Sequence, residues 1–329
     1  MPGRINNAVR APYSRLAMTL LTSATPFPAH LRGGVIALGN FDGFHRGHQA
    51  VVARAVARAR AEGRPAIVAT FDPHPAAYLR PESPPFRLTT IEQRARLFAA
   101  AGADATLVLR FDARMAALSP EAFVVDELAA VYGAAGVVTG EDFTFGRARA
   151  GTPAILSALG RAHGIGIETV APITDGDGPI SSSRIREALI AGDCEGATRL
   201  LTRPFAIQGA VIHGDKLGRT IGFPTANLEL GDYLRPRYGI YAVRGMLDDG
   251  RVVDGAANLG IRPSFDPPKE LLEPYFFDFS GNLYGRTIEV ALISFLRPEA
   301  KFDSLDALTA QMDRDCDRAR AILSSTRLP

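Results

Sequence analysis

Lysine is nearly absent: Lys216, Lys269 and Lys301 are the only three in 329 residues. None of them follows a glycine, so the Gly-Lys-Ser/Thr core of a Walker A loop is excluded, and any ATP chemistry must hold phosphates differently. Cysteine is scarce as well. Cys194 and Cys316 cannot make a disulfide scaffold or a Cys-rich zinc module, and such usage fits a reducing, cytoplasmic setting. No run approaches about 18 apolar residues, so no membrane-spanning helix is expected. Internal repeats and low-complexity tracts are missing too. Acidic residues are absent until Asp42, while Arg4, Arg10, Arg15 and Arg32 precede it. Such a start reads as a loose tail, an over-long start or a transit peptide, and it carries no clear amphipathic helix. With no strong charge excess (formal net charge +2), neither nucleic acid nor a membrane surface is an expected partner. Weak or transient self-association stays open.

What is present is ordinary globular material: 47% hydrophobic and 22% charged residues, enough for a full core without staples. At roughly 150 residues per domain the length predicts about two domains. Residues 1–30, with Pro2, Pro12, Pro26 and Pro28, read as an irregular leader. From 31 to 203 short apolar runs alternate with helical ones. Strands are predicted at Gly34–Leu38, Ala66–Phe71, Ala105–Arg110, Gly136–Gly140 and Ile165–Val170. Helices are predicted at His48–Ala61, Thr90–Ala101, from Ser119 (N-cap, then Pro120), at Pro153–His163, and from Ser181 to about Leu201 with a break at Gly192. That alternation predicts an α/β, Rossmann-like domain with a parallel sheet. From 204 to 329 the texture changes to short strand-like runs with Asp-Gly and Gly-Asn turns, then a closing helix over Ser304–Leu323. This predicts a small antiparallel β-barrel with a C-terminal helix. Residues 1–203 carry a net charge of +4 and residues 204–329 a net of −2.

Gly39-Asn-Phe-Asp-Gly-Phe-His-Arg-Gly-His48 is the sharpest motif. It places Gly39, Asn40, Phe41, Asp42 and Gly47 in a strand-to-helix turn, with His45 and His48 at the helix start. Backbone N–H groups and the positive helix end favour phosphate there, and imidazoles add donors. A metal shared by the two histidines is an alternative, though no further Cys or His cluster completes it. Ile180-Ser-Ser-Ser-Arg-Ile-Arg186 offers a second such turn, with Ser182, Ser183, Arg184 and Arg186 as phosphate ligands. Thr139 to Gly151 sets two aromatics and two arginines between glycines after a strand, which suits a flat ring with an anionic tail. In the second half, Gly214 to Asn227 packs three glycines and a proline into a loop. Thr225 and Asn227 would face one side of an extended segment and suit a hard cation. Glu273 is a carboxylate in the mostly apolar run Leu271–Phe279, where burial would tune it toward a general base.

Taken together the motifs resemble those of the bifunctional bacterial riboflavin kinase/FAD synthetase family, over about residues 30–326. His-Arg-Gly-His48 and Ser182-Ser-Arg-Ile-Arg186 match its nucleotidyltransferase signature. Gly222-Phe-Pro-Thr-Ala-Asn227, Glu273 two residues before Tyr275, and Asn282-Leu-Tyr-Gly285 match its kinase signature, as do Leu296 to Asp303 and the helix with Asp315. Asn282 stands where the family usually has Asp, and Ser183 where it often has Thr.

The resemblance implies two steps. Riboflavin and ATP give FMN, with Glu273 as base, Thr225 and Asn227 holding Mg²⁺, and Gly214, Lys216, Gly218 and Thr220 covering the nucleotide. FMN and a second ATP then give FAD and pyrophosphate. In that step His45, His48 and Arg186 act on the phosphates. Asp142, Phe143, Phe145 and Arg147 would place flavin in the first half, and Arg297 and Phe302 in the second. A kinase-only enzyme and a flavin-binding regulatory module are the competing readings. Intact Gly-His48 and Ser-Ser-Arg motifs speak against the first, and Glu273 with Thr225 and Asn227 against the second.

Overall fold

The structure, a computed structural model, describes residues 19–213, 223–262 and 269–326. The first part is a six-stranded parallel sheet. Its strands are β1 (Thr19–Thr22), β2 (Val35–Leu38), β3 (Ala66–Asp72), β4 (Ala105–Arg110), β5 (Gly136–Gly140) and β6 (Gly166–Val170), in the order β1-β4-β3-β2-β5-β6. Its helices are α1 (Arg46–Ala61), α2 (Pro75–Leu79), α3 (Ile91–Ala100), α4 (Ala113–Ala117), α5 (Pro120–Ala122, running on as a π-helix over Phe123–Val131) and α6 (Pro153–Ala162). Alternation within strands explains the layering. Val35, Ala37, Ala66 and Val68 face α1 and α3, whereas Ile36, Leu38, Ile67 and Ala69 face the opposite core with Phe123, Leu128 and Leu156.

The caps follow the sequence closely. Thr90 and Gln93 form a reciprocal capping box on α3, and Ser119 accepts from the Ala122 N–H ahead of Pro120. One expectation needs correction. Residues 19–22, inside the presumed irregular leader, form the edge strand β1, paired in parallel with β4. Four residues with Pro26 and Pro28 close behind are too short a signal against the proline-rich background. The short helices α2 and α4 were likewise below the length at which periodicity is readable.

A two-strand hairpin, β7 (Thr174–Asp175) and β8 (Gly178–Pro179), leads into α7 (Ser182–Ala191) and α8 (Cys194–Leu201). Gly192 breaks them apart in the left-handed region, φ +85°. The second part is an antiparallel sheet of β9 (Phe205–Ala210), β10 (Leu228–Glu229), β11 (Gly239–Met246), β12 (Val252–Arg262), β13 (Lys269–Phe276) and β14 (Thr287–Arg297), in the order β10-β13-β12-β11-β14-β9. A bridge between Ile212 and Asn227 joins the chain beyond β9 to the chain before β10, so the sheet curls into a nearly closed barrel. Tyr241, Val243, Leu259, Leu272 and Val290 fill its interior. On the outside, α9 (Leu305–Ser325) lays Ala319 and Leu323 against Ala242, Ala256 and Phe277.

The two parts share a core. Ile185, Leu189, Ala197 and Leu201 of α7 and α8 belong to the same apolar cluster as the barrel interior. Polar groups stitch the seam as well. The buried Tyr233 hydroxyl donates to Gln93 Oε1 (2.6 Å) and accepts from the Gln208 N–H (3.1 Å), and Gln93 Nε2 donates to the Ala206 carbonyl (3.1 Å). Tyr233→Phe leaves a buried amide and amide oxygen short of a partner. It should cost about 1–3 kcal/mol in denaturant unfolding. A loss within error of zero would show that this seam bond adds nothing net.

Candidate active sites

The parallel sheet changes winding direction at β2, whose neighbours are β3 and β5. Ligands of open α/β sheets bind at the carboxyl ends of strands at such a switch point. The Gly39 loop leaves the end of β2 and the Gly140 loop leaves the end of β5, so both motifs open onto one crevice. The first loop is tightly wound, with positive φ at Phe41 (+52°), Gly43 (+82°) and Phe44 (+43°). His45 then caps α1, its Nδ1 accepting from the His48 N–H at 3.4 Å. The two imidazoles stack with centroids 3.6 Å apart, and His48 meets the Phe41 ring edge-on. Burial pushes His45 down to about 4, with Arg186 and Arg203 acting in the same sense against Asp42. His48 is also pushed well down, by burial first and then by His45, Arg94, Arg186 and Arg203. Both rings are therefore neutral donors and acceptors near pH 7.

The α7 start is brought against this loop. Ser182 Oγ donates to the Asp42 carbonyl (2.9 Å), and a Cβ on Gly47 would sit 3.5 Å from the Ile180 carbonyl oxygen. The N-termini of α1 and α7 thus converge, and both helix ends favour an anion there. Arg186 reaches the same place. It donates to Asp42 Oδ2 (2.8 Å) and the Phe86 carbonyl (2.9 Å), with its guanidinium over the Phe86 ring. Asn40 Oδ1, His48 Nδ1 and Arg94 Nε are buried polar atoms with no hydrogen-bond partner among the described residues, and all lie at this sheet end. An unsatisfied group in such a place marks a polar ligand or ordered water.

The barrel holds the second constellation. Register places Asn258 opposite Glu273, and the Ala226 N–H donates to the Pro274 carbonyl (2.9 Å), which sets Asn227 across from Glu273 on the other side. Directly opposed antiparallel residues share a face. Asn227, Glu273 and Asn258 therefore form a row on the outer surface, the face that carries Tyr275 and Phe277 toward α9. Asn258 Nδ2 lies 3.5 Å from Glu273 Oε2, and Arg262 pairs with the same carboxylate. The Asn258 Oδ1 is buried without a partner among the described residues. Hydroxyl and amide oxygens with one carboxylate suit a hard cation.

Family comparison separates the same two parts. The FAD synthetase model matches residues 27–184 and the riboflavin kinase model matches residues 201–323. The bifunctional riboflavin kinase/FMN adenylyltransferase of Escherichia coli K12 is 39% identical over 295 residues, 90% of this chain and 94% of that protein. This chain belongs to that bifunctional family. The Bacillus subtilis member is 38% identical over 300 residues, covering 89% of this chain and 93% of its own. A crystal structure of a Streptococcus pneumoniae protein named a macrolide-efflux protein superposes with a TM-score of 0.81 at 31% identity, covering 92% of this chain and 99% of that one. No helix among the described residues here is long and apolar enough to cross a membrane.

Set in the bifunctional frame, the expected residues divide. His45, His48, Gly47, Ser182 and Arg186 meet at one point, as do Glu273 and Asn227. The Asp42 side chain is taken up by Leu88, Thr89 and Arg186, so it organises the turn that carries His45 and His48. Arg184, expected beside phosphate, is engaged within the chain. It is tied to Asp175 (2.9 Å) and to the Gly178 and Pro179 carbonyls, where it braces the β7–β8 hairpin. Phe145, expected beside flavin, lies deeper than its neighbours. It is buried between Phe123 and Phe143, against Gly151, and shapes the loop from inside, whereas Phe143 is half-buried and Asp142 and Arg147 are exposed. Arg297 is bound by Asp315 (2.7 Å) with Phe302 beside it, which fastens β14 to α9. Asn282 keeps the turn expected of Asp, its Oδ1 accepting from the Tyr284 N–H. Gly214, Lys216, Gly218 and Thr220 lie outside the described residues.

Several residues went unassigned in the sequence. His74 caps α2 against Phe86, and burial pulls it to about 4. Its signal was Asp72-Pro-His-Pro75 at the end of a strand beside β2. Arg94 is buried with Nη1 on the Asn40 carbonyl (2.9 Å) and Thr70 Oγ1 (2.7 Å). An arginine in the Ile91/Ala95/Phe98 stripe of a helix was the clue.

The neutral histidines have a stability consequence. An unfolded histidine takes up a proton near pH 6.5, whereas folded His45 waits until about 4. The unfolded state binds more protons in between, so stability falls as pH drops through that window. His45→Gln should remove about 2 kcal/mol of the stability difference between pH 7 and pH 5. Equal pH dependence in the two proteins would contradict a neutral buried His45.

Proposed function

We propose a division of labour in which the 31–203 part adenylylates FMN and the 204–329 part phosphorylates riboflavin, with the boundary near residue 203. The observation that carries the first assignment is the convergence of two helix N-termini, a neutral histidine pair and Arg186 at the sheet's switch point. A phosphate nucleophile is already an anion, so this site needs positioning and positive field, not a general base. An FMN phosphate oxygen attacks the α-phosphorus of ATP, the bond to the β-phosphate bridging oxygen breaks, and pyrophosphate leaves. His45 and His48 donate to the triphosphate without themselves changing charge. Ser182, Ser183 and the exposed N–H groups of α7 take the leaving pyrophosphate, and Arg186 balances its charge. Asp142, Phe143 and Arg147, on the rim of the β5 loop, place the flavin.

In the barrel the nucleophile is a neutral hydroxyl and the requirement differs. Glu273 takes the proton of the ribityl 5′-hydroxyl as its oxygen attacks the γ-phosphorus of the first ATP, and ADP leaves. Asn258 and Arg262 orient that carboxylate from β12. Thr225 and Asn227 would hold Mg²⁺, which when bound neutralises charge on the transferring phosphoryl group. The orphaned Asn258 oxygen in the same row supports a cation or its water there. Arg297, at the end of β14, and Phe302 beside it support the flavin edge of this site.

Incubation with riboflavin, ATP and Mg²⁺, with flavins separated by chromatography, tests the division. His48→Ala should stop FAD while FMN still accumulates. Glu273→Ala should stop FMN yet convert supplied FMN to FAD. A single substitution that abolished both activities in a folded protein, with FAD formation assayed on supplied FMN, would refute separate sites. Tight flavin binding with no turnover in the unaltered chain would favour a binding module.

A further inference from the structure

The turn that presents His45 and His48 is costly to hold. Phe41 and Phe44 both adopt positive φ, and a bulky side chain in the left-handed region costs of the order of 1–2 kcal/mol per residue. Asp42 secures the middle of the turn. Its last two carbonyls, immediately before His45, point the other way, and the chain at the junction of the two halves meets them. Arg203 Nη2 donates to the Gly43 carbonyl (2.7 Å), and its Nη1 donates to the Phe44 (3.3 Å) and Leu201 (3.2 Å) carbonyls. Gln49, one turn into α1, donates to the same Phe44 and Leu201 carbonyls (3.0 and 3.1 Å) and to Thr202 Oγ1 (2.9 Å). Thr202 is itself left-handed, φ +64°, which ends α8 and turns Arg203 inward. Behind Arg203 stand Glu289 of β14 and its partner Arg96 of α3, which line the same small cleft at the junction. The guanidinium thus has a buried carboxylate from the barrel on one side and the histidine turn on the other.

We propose that Arg203 is a positioning residue for adenylyl transfer: with Gln49 it clamps the Gly43 and Phe44 carbonyls and so fixes the direction in which His45 and His48 face the triphosphate. It touches no substrate. A planar guanidinium suits the task because it spans three carbonyls from one side chain, which an ammonium on a flexible stem does not. The inference rests on assigning the His45–His48 turn to adenylyl transfer, and the kinase half of the same chain supplies a control for folding.

The test compares Arg203→Met, Arg203→Lys and Gln49→Leu with His48→Ala in the full chain. Misplacing a catalytic group by about an ångström costs up to roughly a hundredfold in rate. Arg203→Met should lower kcat for FAD formation by about ten- to a hundredfold, with riboflavin phosphorylation kept within about twofold. Arg203→Lys should recover part of the loss, and Gln49→Leu should show a smaller loss of the same kind. Arg203 is also one of the cations pressing His45 down, so the His45 titration, followed by NMR, should move up in Arg203→Met. Parallel loss of both activities, or undiminished FAD formation with His48→Ala inactive, would overturn the role of Arg203 alone. Undiminished FAD formation in His48→Ala would instead overturn the assignment of the turn.

Discussion

Much of the molecule hangs on one buried carboxylate. Asp42 accepts from the Leu88 and Thr89 N–H groups (3.0 Å each), from the Thr89 hydroxyl (3.2 Å) and from Arg186 (2.8 Å). Those partners lie 46, 47 and 144 residues away. A buried charge is tolerated only when its lone pairs are filled, and removing one partner strands the rest. Asp42 therefore makes three distant segments interdependent. The glycine turn after β2 is held down, the segment leading into the Thr90 cap of α3 is fixed in register, and α7 is drawn in so that Ser182 and Arg186 arrive at the histidines. Through α3 the same constraint extends to Tyr233 and the barrel.

The two sites solve opposite electrostatic problems with the same poverty of lysine. On the proposed division of labour the α/β part meets an anionic nucleophile, and it offers helix ends, neutral imidazoles and a guanidinium already neutralised in part by Asp42. Placing charged histidines there would add field, but burial beside Arg94, Arg186 and Arg203 makes the charged form expensive. On the same proposal the barrel meets a neutral nucleophile, for which a carboxylate is needed, and Arg262 and Asn258 hold Glu273 from the neighbouring strand. The modest excess of basic residues in the first 203 positions is consistent with this difference.

The fold was legible wherever an element was long and strongly patterned. β2, β4 and β5 fall within the predicted strands, and the break at Gly192 lies where glycine's left-handed freedom was expected to end a helix. β1, α2 and β10 were not legible, because two to five residues carry no usable period. Side-chain placement was legible where a motif is contiguous, as with His45 and His48, which stack at the start of α1. It was not legible where tertiary structure decides which way a side chain points. Arg184 and Arg186 are two residues apart and look interchangeable in sequence, yet one turns to the β7–β8 hairpin and the other to Asp42. Phe143 and Phe145 part in the same way, one half-buried and one sealed in the core. Arg262 gave no local sign, since its meaning comes only from the β12–β13 pairing.

The composition shift near residue 203 marks a change of architecture but not a hinge. Ile185, Leu189, Leu200, Leu201 and Phe205 straddle it and are buried in one core with the barrel interior. Each is worth about 1.5–3 kcal/mol when buried. Five of them together match the whole stability of an ordinary domain, about 5–15 kcal/mol. Swinging the barrel to carry FMN from the Glu273 face to the His45 crevice would expose that surface and break the Gln93–Tyr233–Gln208 chain of hydrogen bonds at every turnover. A fixed seam also lets a residue at the junction, Arg203, serve the turn beside it, because its distance from Gly43 does not change as the barrel works.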